Sequence, residues 1–351
     1  MAERRAIARH RAAVGWGENA IVVAGGGFEI TEAGDKLELD RHETLALIGG
    51  RWRAMQSQSR PRCDCGVAVW RGIMACVGGS VTAWDEEWGE NRIRGGVPEC
   101  VTFDGVENRW LNLGDQGLIL PNKGTAVVDP VSGALVVVAG ECESWSDGPS
   151  SSIIIHGNMS SMLALDSPSA AWRELTPPPQ PVCSAFAAVI GVKLYVAGGS
   201  RDVRLTAALQ GGPIGVSDKL QIYDFQTKTW SFGPPLPEIQ YDNGASGCAH
   251  GNKLYVVSGK HSIGEHTSDV FIYDVTTETW SEGPPLPSPR MMHTTLVHQN
   301  RIIVIGGEGV PLVLDKAAGV WVHDASFVPY LPGMASEEPL YAAMIASVPV
   351  G

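Results

Sequence analysis

Six positions in this 351-residue chain stand sixteen residues ahead of a small-residue doublet, and four of the six are basic. They are Arg9, Arg62, Lys123, Val182, Asp242 and Arg290, with a tolerance of one or two residues at the first and third. Arg grips a carboxylate with two parallel donors and is enriched where anions are recognised. The chain as a whole carries a formal charge of −12. A basic cluster within it points to an anionic ligand, such as an acidic peptide or a sugar acid. The other reading is that each guanidinium group holds backbone carbonyls of the neighbouring unit.

Two further stretches set aromatic planes beside carboxylates. One is Trp84-Asp85-Glu86-Glu87-Trp88-Gly89-Glu90; the other runs from Glu141 to Asp147 with Trp145 inside it. Such a pairing suits a sugar ring, a cationic group or a basic peptide. The same Trp residues would equally pin their loops, with the acids solvated. Glu238-x3-Asp242 continues into Ser246 and His250. Alternation puts these on one strand face, yet steps of four residues at about 3.3 Å each spread them beyond a single metal shell. His261-x4-His266, with Glu265 between, could join His293 around a metal, although loop histidines are more commonly just exposed. Cys63-Asp64-Cys65 lacks the second pair that a zinc site requires. No cofactor is expected, and no catalytic residue is assigned.

The elements that must position these residues are short and heavily punctuated. The chain has 42 Gly and 23 Pro, below the ~25–30% that marks low-complexity sequence. Hydrophobic residues reach 44%, enough for a large core, while no apolar run approaches the ~20 residues of a membrane-spanning helix. The negative charge disfavours a nucleic-acid partner. Arg4, Arg5, Arg9 and Arg11 open the chain without the apolar stretch of a secretory signal. Seven Cys at irregular spacing read as reduced thiols, so cytoplasm or nucleus is the expected compartment.

A repeat organises the chain. KLQIYDFQTKTWSFGPPLPE from Lys219 is echoed fifty residues later by DVFIYDVTTETWSEGPPLPS from Asp269. Doublets close β-branched runs at Gly25-Gly26, Gly78-Gly79, Ala139-Gly140, Gly198-Gly199, Ser258-Gly259 and Gly306-Gly307. Each is followed by a late Trp: Trp52, Trp110, Trp172, Trp230, Trp280 and Trp321. A small doublet allows backbone to approach backbone or to take positive φ, and a Trp can wedge neighbouring sheets apart.

These units resemble kelch repeats, whose pattern is an apolar strand ending in Gly-Gly, a Tyr-Asp strand and a downstream Trp. The resemblance covers about residues 6–348, closely in units four to six and more loosely in units one to three. It implies an all-β fold, one six-bladed propeller of four-stranded antiparallel blades. The units fall at about 6–55, 56–115, 116–174, 175–233, 234–283 and 284–324, with 325–351 as a closing segment. Both Ala6–Val14 and Leu340–Ala346 read as the innermost strand of unit one; closure by the C-terminal strand is favoured.

With strands A to D running outward from the axis, the B–C and D–A loops share a face. The B–C loops are long in the first four units, at about Gly27–His42, Ser80–Pro98, Glu141–Ser160 and Ser200–Asp218. Function commonly rides on long loops over a rigid scaffold. The resemblance implies a monomeric interaction module or scaffold that binds a protein partner, an acidic or basic peptide segment, through this face, or a substrate-recognition component. The alternative is a propeller enzyme, epimerase-like or nitrile-specifier-like, acting on a small anionic or sugar-derived molecule at the basic mouth.

Overall fold

The computed structural model describes residues 5–9, 20–24, 27–32, 35–40, 44–59, 62, 64–85, 90–96, 99–115, 120–145, 153–158, 161–201, 215–238, 240–241, 246–261, 266–290, 293–306, 312–323 and 346–347. The regular structure there is antiparallel β throughout. Its sheets pack radially as a β-propeller. Among these residues no helix is long and apolar enough to cross a membrane.

Unit two shows the plan: strands Gly66–Trp70, Ile73–Val77, Glu99–Asp104 and Arg109–Asp115 pair in sequence from A to D. Strand B in unit three, Leu135–Val138, is apolar at every position because a sheet lies on both of its faces. Leu135 and Val137 pack into the core shared with unit two, whereas Val136 and Val138 pack into the core shared with unit four. Comparable clusters lie between units one and two, four and five, and five and six. The hydrophobic core is therefore a set of slabs between sheets.

The Asp that ends strand C makes the C–D turn. Asp224 Oδ1 accepts from the amides of Gln226 and Thr227 at 2.8 and 3.0 Å, and Asp274 and Asp315 do the same in their own turns. Each outer-strand indole then reaches backwards. Trp110, Trp230, Trp280 and Trp321 donate Nε1–H to the carbonyls of Gln56, Thr176, Pro234 and Pro284, which all follow strand D of the preceding unit. The expected wedge is thus also a tether between neighbours.

Three expectations are corrected. Five sheets are four-stranded; where six alike were expected, the sheet of unit five has five strands. At Ser258-Gly259 the ladder slips one register but resumes at Gly259↔Thr267, so strand B runs on from Lys253 to His261 and its end pairs with Gln240–Tyr241. Second, the long B–C connections carry hairpin pairs, with strands Gly27–Glu32 and Asp35–Asp40, Ser80–Asp85 and Glu90–Gly96, Glu141–Trp145 and Ile153–Asn158, and Ser200–Arg201 with Gly215–Val216. Third, Arg5–Arg9 is not an inner strand of unit one. It pairs with Gly27–Glu32 instead, while Ala346–Ser347 pairs with Ile21 and Val22 and supplies strand A of that unit.

Candidate interaction face

The doublets build the corner between each unit and the next. The first residue closes its own sheet: Gly78 N–H donates to Glu99 O and Gly198 N–H to Lys219 O, each at 3.1 Å. The second crosses the boundary, with Gly79 N–H to Pro121 O at 3.1 Å and Gly140 N–H to Val182 O at 2.8 Å. Gly78 has φ +63°, and a Cβ there would stand 2.1 Å from Pro121 O. Both reasons expected for a small doublet operate at this one residue. In unit five the Ser258 hydroxyl takes over the crossing by donating to the Arg290 carbonyl.

Just inside these corners lies the mouth. Asp64, Lys123 and Ser184 each stand two residues before an inner strand, with φ of 53°, 54° and 52°. Lys123 N–H donates to Asp64 O at 2.9 Å and Ser184 N–H to Lys123 O at 3.1 Å, so backbone ties successive units together around the axis.

This geometry revises the basic series. In unit three the A–B turn is two residues longer, folded around Asp129, whose carbonyl accepts from Gly133 N–H and whose side chain accepts from Val131 N–H, both at 2.8 Å. Counting by register places Pro121 in line with Arg62, and Lys123 one ring inward with Asp64. Arg9 leaves the series altogether, paired with Gly27 in the unit-one hairpin. Val182 is buried at the expected corner, and Asp242 lies outside the described residues. Arg62 and Arg290 are equivalent and both buried, at 2% and 1% exposure.

Arg62 is occupied by its own sheet. Its Nη1 donates to Gly78 O at 2.8 Å and Glu99 O at 3.2 Å, and its Nη2 meets the Glu99 carboxylate at 3.3 Å. This is the carbonyl-holding role, directed at the same unit's strand ends. Around it lie Cys65, which the Cys63-Asp64-Cys65 spacing had marked, and Cys76 and Cys100, which no spacing singled out. The Cys76 thiol hydrogen-bonds the Cys65 sulfur and holds Cys65 below the ordinary thiol range against the effect of burial, with Arg62 helping. Burial pushes Cys76 well up and Cys100 to about 12. Cys76 and Cys100 would have been visible only by pairing strands B and C in the right register.

The outer tier of the face is made by the hairpins. Those of units one and two pack on each other, as do those of units two and three. Trp84 lies on the first strand of the unit-two hairpin, opposite Asn91, and Trp145 on that of unit three, opposite Ile153. Trp88 falls outside the described residues. The Trp-bearing stretches are thereby brought into one layer.

The metal readings gain nothing among the described side chains; those of Cys63, His261, Glu265 and His266 lie outside them. His293 is buried and turns Nε2 to the Val257 carbonyl at 3.1 Å. Ser246 Oγ accepts from Thr295 N–H at 2.6 Å. Glu238 is exposed. Among the described residues no group of three or more His, Cys, Asp or Glu could hold a metal ion.

A profile of the KLHDC2/KLHL20/DRC7 Kelch-repeats domain matches residues 89–307, more than half of the chain. The chain belongs to this kelch-repeat family. Kelch-like protein 41b of Danio rerio is 31% identical over 143 residues, which is 41% of this chain and 22% of that protein. The kelch chain thus spans less than a quarter of that relative's length. In fold it is similar to the solved structure of YjhT, with TM-score 0.59 and 14% identity over 91% of this chain and 94% of that one. That likeness concerns the propeller architecture alone.

Proposed function

We propose that this kelch propeller is an interaction module or scaffold that binds a protein partner through the face carrying the B–C and D–A connections. The observation that carries the reading is the hairpin tier. Three hairpins from consecutive units pack together on one face, and segments 27–42, 80–98 and 141–160 contain twelve acidic residues against four Lys and Arg. A raised, charged and aromatic layer on a rigid ring suits recognition of another chain. Counting the five-stranded sheet of unit five as a further blade makes the ring six-bladed, with Ser246–His250 as its inner strand. We place the module in cytoplasm or nucleus as a monomer, in keeping with its buried reduced thiols. The enzyme reading has less support, because Arg62, the best-placed cation of the mouth, is already engaged by Gly78 and Glu99.

Affinity capture with the wild-type chain and the Trp84→Ala/Trp88→Ala variant tests the face. Loss of captured partners from a variant with unchanged thermal stability is expected. An unchanged partner set would sink the reading.

A further inference from the structure

The strand Arg5–Arg9 belongs to no blade. The unit-one sheet is completed by Ala346–Ser347, so Arg5–Arg9 is surplus to the ring and lies instead on the edge of the unit-one hairpin, five residues in register from Arg5↔Thr31 to Arg9↔Gly27. The resulting sheet has three strands. Ala6 and Ala8 pair with Ile30 and Phe28, which pair in turn with Leu37 and Leu39. Arg5, Ile7 and Arg9 pair with Thr31, Glu29 and Gly27, which pair in turn with Lys36, Glu38 and Asp40. Both arginines thus hold register positions diagonal to Glu29, and Arg9 stands in line with Asp40, in the tier that holds most of the chain's excess negative charge.

We infer that the hairpin edge Gly27–Glu32 is a strand-addition site for an extended, Arg-bearing peptide, and that Arg5–Arg9 occupies it as an internal stand-in. The inference rests on the proposed interaction face and names the class of partner that the face takes. In strand addition the backbone ladder supplies affinity and alternate side chains supply selectivity. Here the selective positions are those of Arg5, Ile7 and Arg9, opposite Thr31, Glu29 and Gly27. An apolar or acidic strand would give up the charge match. The tether from Arg9 to Ala20 is short, so the internal strand is present at an effective concentration on the order of millimolar. An incoming peptide must outcompete it, and the site is self-blocked until it does.

The probe is a fluorescein-labelled peptide of residues 3–11, added to the full-length chain. Ile7→Pro/Ala8→Pro removes two amides from the internal strand and unpairs it. The peptide is expected to bind that variant at least about tenfold more tightly than wild type. Adding Glu29→Lys/Glu38→Lys should abolish the gain. In the unaltered chain, hydrogen exchange should find amides 5–9 at least about a hundredfold less protected than those of Leu135–Val138, as expected of an exchangeable element. Equal peptide binding by wild type and the Pro variant, binding indifferent to the Glu→Lys changes, or protection of 5–9 at blade level would each overturn the inference. Absent peptide binding, with partner capture still lost in Trp84→Ala/Trp88→Ala, refutes the strand-addition site and leaves the interaction face standing. Peptide binding with partner capture unaffected by the Trp changes supports the site and removes the broader reading.

Discussion

Trp321 of unit six donates its indole N–H to the carbonyl of Pro284, the linker residue after the outer strand of unit five, at 2.8 Å. The indole ties two sheets that share no ladder, and the ring is 6% exposed. Trp321→Phe keeps most of the buried area and deletes the bond, so it should cost about 1 kcal/mol. Trp321→Ala should cost about 3–5 kcal/mol by opening a cavity between the sheets. Urea denaturation midpoints measure both; a Trp321→Phe midpoint equal to that of wild type would show that the tether contributes nothing.

Two glycines of unit two separate conformational strain from crowding. Gly72 has φ +78° with nothing near its missing Cβ, whereas Gly78 has φ +63° and Pro121 O in the way. Gly72→Ala should cost about 1–2 kcal/mol, the left-handed penalty alone. Gly78→Ala should cost about 3 kcal/mol or more, because the backbone of unit three must also move. The same denaturation series ranks them.

Arg62 should tolerate no substitute. Arg62→Met removes the donors to Gly78 O and the Glu99 carboxylate from a buried site and should cost about 3–5 kcal/mol. Arg62→Lys keeps the charge but cannot span both acceptors, so it should recover only part of the loss. Losing the cation should also raise the Cys65 thiol, since Arg62 helps to hold it down. Thiolate absorbance followed across pH reads that shift.

Acid should weaken the ring through its inner strands. Burial, assisted by Arg301, holds His298 below its ordinary value near 6.5, and burial with Lys316 does the same to His250. The unfolded chain therefore binds protons first, and stability falls as pH drops from about 6.5 towards the folded values. Thermal melts between pH 7.5 and 5.5 should show the decline, and His298→Gln should flatten it. A second loss follows nearer pH 4 and below. There the turn carboxylates Asp224 and Asp274, held low by the amides they accept from, become protonated and release those amides.

Much of the propeller was legible because its repeat is enforced at conspicuous residues. The doublet, the Asp turn and the outer Trp each make a contact that few other residues can make, so they recur at countable positions. Counting from the doublet failed in unit three, where the longer turn around Asp129 shifts Lys123 away from the place of Arg62. It failed again in unit one, because strand A comes from the far end of the chain and local spacing carries no trace of it. Two of the thiols beside Arg62, Cys76 and Cys100, were hidden for a similar reason. Cys65, Cys76 and Cys100 are brought near one another by pairing between strands, which leaves no periodic mark in sequence.

The pairing of Ile21 and Val22 with Ser347 and Ala346 has a kinetic consequence. Every other strand pair in the blades joins segments close in sequence, whereas this seam waits for nearly the whole chain to be in place. Loop closure over such a span is entropically costly and slow. The ring should therefore form as an open arc that shuts last and, under thermal or mechanical load, parts first at the same seam. The protein's lifetime against unfolding is then set at the joint between its first blade and the far end of its chain.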